Sequence, residues 1–207
     1  MGFNSNDWNR IRYSIYEPFY DYIGKLFAKR RARSISLLNP KRGEKVLILG
    51  AGTGLDLEFV PEGVDISAID ITPAMVKKMK VRAEKLGIQG DFRVMDGQNL
   101  DFPDNSFDCV ILHLILAVIP DPDRCITEVE RVLRPGGRVA VFDKFLPDGE
   151  KASLPRELLN FLTRALFSDI NRKLGAIIEG TRLKLQHEES AGFGGNFKIA
   201  IFTKENQ

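Results

Sequence analysis

From residue 45 onward the apolar positions change rhythm repeatedly, from short continuous runs to three-and-four spacing and back. That alternation predicts strands separated by helices. Lys45–Leu49 reads as a continuous apolar strand, followed by a glycine-rich turn and a short helix near Leu55–Val60. Val64–Asp70 is a second strand. Thr72-Pro73 opens a helix through about Leu86, with Thr72 as side-chain cap, proline in the first turn and Gly87 as stop. Asp91–Met95 is a short third strand, Phe107–Leu114 a buried fourth, and Asp121–Leu133 a helix. Pro135-Gly136-Gly137 ends that helix and leads into a fifth strand, Arg138–Asp143.

The alternation then changes. Pro155–Phe167 and Ile170–Glu179 read as helices, an insertion near 150–180. Arg182–His187 and Phe197–Thr203 read as two strands joined by the loop Gly192–Gly195, a hairpin signal. Parallel βαβ units closed by a hairpin give an α/β, doubly wound sheet of seven strands, mostly parallel with one antiparallel strand. Ahead of it, Trp8, Ile11, Ile15, Phe19, Tyr22/Ile23 and Leu26/Phe27 recur at helical spacing, so residues 1–40 form an amphipathic helical arm, broken in two at Pro18. The 207 residues suit one domain, 1–207, with the arm as a lid on a core at 41–207.

Net charge is only +2, but residues 1–45 carry ten Lys/Arg against four Asp/Glu, and Lys25, Lys29, Arg30, Arg31 and Arg33 crowd the second half of the arm. Such a cluster suits an anionic surface, a membrane or a nucleic acid, and equally a solvated helix face. Nucleic acid is the poorer fit, because the cluster is short and its aromatics belong to the helical stripe. Cys109 and Cys125 lie far from any CxxC spacing and read as free buried thiols, with no zinc site. The N-terminus lacks the order of a signal peptide, and the longest apolar run, Cys109–Ile119, is too short to span a bilayer. The expectation is a cytoplasmic monomer, peripheral at most to the inner membrane face.

The chemistry centres on Gly50-Ala51-Gly52-Thr53-Gly54, which follows the first strand. Glycines there let a ligand approach the backbone closely. Twenty residues after Gly50, at the end of the second strand, stands Asp70, placed to accept from both hydroxyls of a ribose or, alternatively, to cap the next helix. The spacing is GxGxG rather than the GxGxxG of dinucleotide sites, where a helix N-terminus faces a pyrophosphate.

With Asp96-Gly97, Phe107-Asp108 and Leu133-Arg134-Pro135-Gly136-Gly137, these motifs resemble the class I methyltransferases that use S-adenosylmethionine (SAM), over residues 45–143. The resemblance implies a Rossmann-like fold and SAM as cofactor. It implies Gly50, Ala51, Gly52, Thr53 and Gly54 along the methionine part, Asp70 at the ribose, Ile71 and Met75 flanking the adenine, and Asp96, beside Gly97, accepting from its amine.

The acceptor is less legible, since methyl transfer needs alignment more than catalytic groups. His113 sits where the fourth strand should end, near the methyl, and reads either as general base or as a satisfied core residue. Asp143 and Lys144 end the fifth strand on the same edge. Tyr13-x-x-x-Glu17-Pro18-Phe19-Tyr20-Asp21 resembles the lid of bacterial phosphatidylethanolamine N-methyltransferases and quinone C-methyltransferases, with Glu17 in place of a small residue. Leu116–Asp123 resembles the phospholipid enzymes. By that resemblance Tyr13 and Tyr20 close over the sulfonium, and the acceptor is a phospholipid head-group amine or another small apolar molecule such as a quinone.

Overall fold

The computed structural model describes residues 24–146, 171–192 and 196–206. The first half of the arm, most of the insertion and the tip of the hairpin lie outside the described residues, and with them Tyr13, Tyr20, Pro18 and the expected helix 155–167.

The described chain runs α1 (Ala28–Leu38), β1 (Lys45–Leu49), a single 3₁₀ turn (Leu55–Phe59), β2 (Asp65–Asp70), α2 (Pro73–Leu86), β3 (Gly90–Val94) and β4 (Phe107–His113). It continues through α3 (Pro122–Val132), β5 (Leu133–Lys144), α4 (Leu174–Ile178), β6 (Leu183–Ser190) and β7 (Phe197–Lys204). The sheet order is β3-β2-β1-β4-β5-β7-β6. β7 lies antiparallel to both neighbours, and every other pairing is parallel. This is the expected doubly wound, Rossmann-like sheet with one reversed strand.

Strand β1 shows why both faces are covered. Val46 and Ile48 point into a core with Ile35 and Leu38 of α1 and Val76, Met79 and Ala83 of α2. Leu47 and Leu49 point into the opposite core, with Ile126 and Val129 of α3. A strand buried on both sides reads as a continuous apolar run, which is what made it legible.

Three expectations need correction. The Pro-Gly-Gly segment does not precede β5: Leu133 already pairs with Phe107 and Arg138 with Cys109, so Arg134–Gly137 is an excursion inside the strand. The helix expected at Ile170–Glu179 is only Leu174–Ile178. Thr72 stands at the N-cap of α2, but its side chain makes no capping bond; the carboxylate of Asp70 accepts from its N–H instead. The cap of α3 is conventional, with Asp121 accepting from the N–H of Arg124 ahead of Pro122.

Helix α1 does not present its basic cluster as one exposed face. Arg31 is buried, with its guanidinium on Asp56 at 2.6 Å. Arg30 donates to the carbonyl of Ala191, and Arg33 makes a two-pronged bond to Glu189. Lys25, Leu26 and Lys29 are exposed. Cys109 and Cys125 are buried and free; burial pushes the Cys109 thiol up to about 12.

Candidate active site

Because β2 and β3 lie on one side of β1 and β4 and β5 on the other, the chain leaves a gap where it reverses direction, and ligands of open α/β sheets lie outside the strand ends there. A cleft occupies that position. Its floor is Leu49, Gly50, Gly52, Asp70 and Ile71; Met75, Met95, Asp96 and Gly97 form one wall.

Glycine is favoured at two of these places. Gly50 has φ +69, and a Cβ there would lie 2.7 Å from Cδ1 of Ile115, a cleft residue. A Cβ on Gly97 would lie 2.6 Å from Leu49. Gly54 lies outside the lining, against Leu57 and Met79, so it serves packing below the loop.

Asp70 is held from two sides, Oδ2 accepting from the N–H of Gly52 at 2.9 Å and Oδ1 from that of Thr72 at 2.8 Å. Each oxygen keeps lone-pair capacity toward the cleft. Burial raises its pKa above the ordinary aspartate value, against the pull of the two N–H bonds. Asp96 accepts from the backbone and side-chain amides of Gln98, whose carbonyl accepts from Asp121 N–H. That chain joins the third-strand loop to the start of α3.

The remaining wall, Leu114, Ile115, Val118, Ile119 and Pro120, is apolar and comes from the β4–α3 loop. It begins at Leu114, whose φ of +60 ends the strand abruptly. Few non-glycine residues adopt that conformation, and nothing in the run Cys109–Ile119 signals it. The sequence therefore hides where strand becomes cleft. Two side chains brace the loop: buried Asp143 accepts from Ala117 N–H at 2.9 Å, and Arg172 donates to the carbonyls of Leu116 and Pro120. Burial raises the Asp143 pKa, although two N–H bonds and the Lys144 charge oppose it. Burial also lowers that of Lys144.

The structure brings Gly50, Gly52, Asp70, Ile71, Met75, Asp96 and Gly97 together and leaves Ala51, Thr53, Gly54 and His113 out of the lining. His113 is fully buried, with Nδ1 2.7 Å from Asp56 Oδ1 and Nε2 2.9 Å from Ser34 Oγ. Both ring nitrogens are engaged, so His113 takes the satisfied-core alternative and is not placed to receive a proton from an acceptor. Among the described residues, no group of three or more His, Cys, Asp and Glu side chains could hold a metal. No helix there is long and apolar enough to cross a membrane.

Fold and cleft together define an open α/β sheet with a glycine- and aspartate-lined cleft at its switch point. Residues 47–141 match the family model of the methyltransferase domain. The chain is 34% identical over 190 residues to a phosphatidylethanolamine N-methyltransferase of Cereibacter sphaeroides, covering 89% of this chain and 92% of that protein. It is 29% identical over 171 residues to a demethylmenaquinone methyltransferase of Thermus thermophilus, 79% of this chain and 74% of that one. A crystallised SAM-dependent methyltransferase from Aquifex aeolicus superposes with a TM-score of 0.63 at 20% identity, over 84% of this chain and 88% of that one. The chain belongs to the SAM-dependent methyltransferases: it is an enzyme, and SAM is its cofactor.

Proposed function

We propose that SAM lies in the switch-point cleft and that the chain methylates the amine of a phosphatidylethanolamine-type head group at a membrane surface. The observation that carries the acceptor is the match along 92% of the phosphatidylethanolamine enzyme, against 74% of the menaquinone enzyme. The cleft suits the cofactor: Gly50 and Gly97, where a Cβ would press on Ile115 and Leu49, bring bare backbone to its lining. Asp70 offers acceptor capacity to ribose hydroxyls, Asp96 to an adenine amine, and Ile71 and Met75 an apolar slot.

The cofactor supplies an electrophilic methyl on its sulfonium. With SAM bound, the amine lone pair would take that methyl as the carbon–sulfur bond broke, so an ammonium must first lose its proton. His113 is withdrawn, and the titratable groups lining the described cleft are Asp70 and Asp96. Within the described cleft a carboxylate-bound water can take the proton, helped by the apolar wall Leu114–Pro120, which lowers an amine's pKa by desolvation. Tyr13 and Tyr20, on the arm outside the described residues, remain proposed as its lid.

Membrane contact is proposed for the exposed Lys25-Leu26 pair and Lys29, an apolar tip flanked by cations. Incubation with SAM and phosphatidylethanolamine vesicles should give mono-, di- or trimethylated lipid by mass spectrometry, faster as pH rises through neutrality. Methylation of a naphthoquinone or phenol instead, with no methylated lipid, moves the acceptor to the quinone class that the second relative represents.

A further inference from the structure

Four buried side chains from three elements form one connected chain of hydrogen bonds. Arg31 donates to Asp56 Oδ2 at 2.6 Å, Asp56 Oδ1 meets His113 Nδ1 at 2.7 Å, and His113 Nε2 meets Ser34 Oγ at 2.9 Å. Arg31 and Ser34 belong to α1, His113 to the end of β4, and Asp56 to the single turn that follows the glycine loop. None of the four lines the cleft.

The turn Leu55–Phe59 is five residues long and opens at Gly54, φ +81, with no side-chain cap. One turn of helix does not hold itself together, since nucleation is the unfavourable step. Its pose, and that of the glycine loop leading into it, depends on what grips its side chains. Asp56 is gripped by the network just described. Leu55 is gripped by the root of the arm: a Cβ on Gly24 would fall 2.3 Å from Leu55 Cδ1, so the backbone at Gly24 rests directly on that side chain. Two contacts at adjacent residues thus tie the loop to the helical arm, one polar and buried, one apolar.

We propose that Asp56 is a positioning residue for the cofactor loop, and that through Arg31 and Leu55 the pose of the arm root and the pose of the SAM loop are one variable. Occupying the cleft then steadies the arm, and loosening the arm weakens SAM. This rests on siting SAM at the glycine loop. A merely structural network would alter stability alone; a positioning one alters SAM affinity in a protein that remains folded.

The test compares three variants by calorimetry with SAM, below each variant's melting temperature, together with hydrogen exchange. Asp56→Asn keeps size and loses the charge that Arg31 and His113 hold. Gly24→Ala suits a helix but displaces Leu55, and carries the test if Asp56→Asn does not fold. Glu189→Gln frees Arg33 of the same helix from β6 without touching Asp56. Expected are at least fivefold weaker SAM binding for Asp56→Asn and Gly24→Ala, and a change below twofold for Glu189→Gln. In the native protein SAM should slow exchange at residues 28–38 as well as 50–54, and Asp56→Asn should lose the first effect. Binding within twofold of native in both Asp56→Asn and Gly24→Ala, or equal weakening by Glu189→Gln, overturns the proposal. Absence of SAM protection at 50–54 in the native protein overturns the siting of SAM, and this proposal with it.

Discussion

At Asp70 one carboxylate does two jobs at once, ordering the glycine loop through Gly52 and the start of α2 through Thr72, while keeping capacity for a ligand. Asp70→Ala removes charge-assisted bonds of roughly 1.5–3 kcal/mol each, so SAM affinity should fall at least tenfold by calorimetry. Because burial raises this carboxyl's pKa, SAM affinity should start to fall on acidification at a higher pH than an ordinary aspartate would set, and Asp70→Asn should remove that dependence. Asp70, Gly50, Gly52 and Gly97 were legible as cleft residues because residue type and spacing go together there, whereas Gly54 belongs to the same motif and packs below the loop. Leu114 was not, because its left-handed backbone is imposed by the surroundings and leaves no trace in residue type. Nor was the inward turn of His113: a histidine ending an apolar strand looks the same facing a cleft or facing Asp56.

Among the elements, α1 shows where charge counting misleads. Its arginines look like one basic face in the sequence, yet Arg31 is internal and Arg33 is paired. If the arm meets a membrane, Lys25→Ser with Lys29→Ser should weaken flotation with anionic liposomes, and salt should do the same, at about 1 kcal/mol per cation near the surface. Arg31→Ser should instead lower the melting temperature. Burial alone would raise the pKa of Asp56, but the charges and hydrogen bonds of Arg31 and His113 outweigh it and hold it well below the carboxylate range. A lowered native pKa adds stability above the unfolded value of about 3.9 and loses it as pH falls below that. Chemical denaturation between about pH 4 and 2 should therefore show a steeper loss in the native protein than in Asp56→Asn.

For the molecule as a whole, the parallel strands and the closing hairpin followed from the apolar runs, whereas the wall of the cleft came from a loop braced by Asp143 and Arg172. Arg172 has a further consequence. Its carbonyl accepts from Leu146 N–H at 2.8 Å, so the chain leaves β5 and returns to nearly the same point, and the returning residue is also the one that pins Leu116 and Pro120. The residues that flank 147–170 thus meet at one place, and the one that resumes the described chain also holds the apolar wall of the cleft. Ends that meet in this way can stay in place while the length of chain between them is changed. Replacing residues 147–170 with a short glycine-serine linker should leave SAM affinity within a fewfold of native, while Arg172→Ala in the intact chain should weaken it more. Read by calorimetry beside an acceptor screen, that exchange should move acceptor preference and spare the donor.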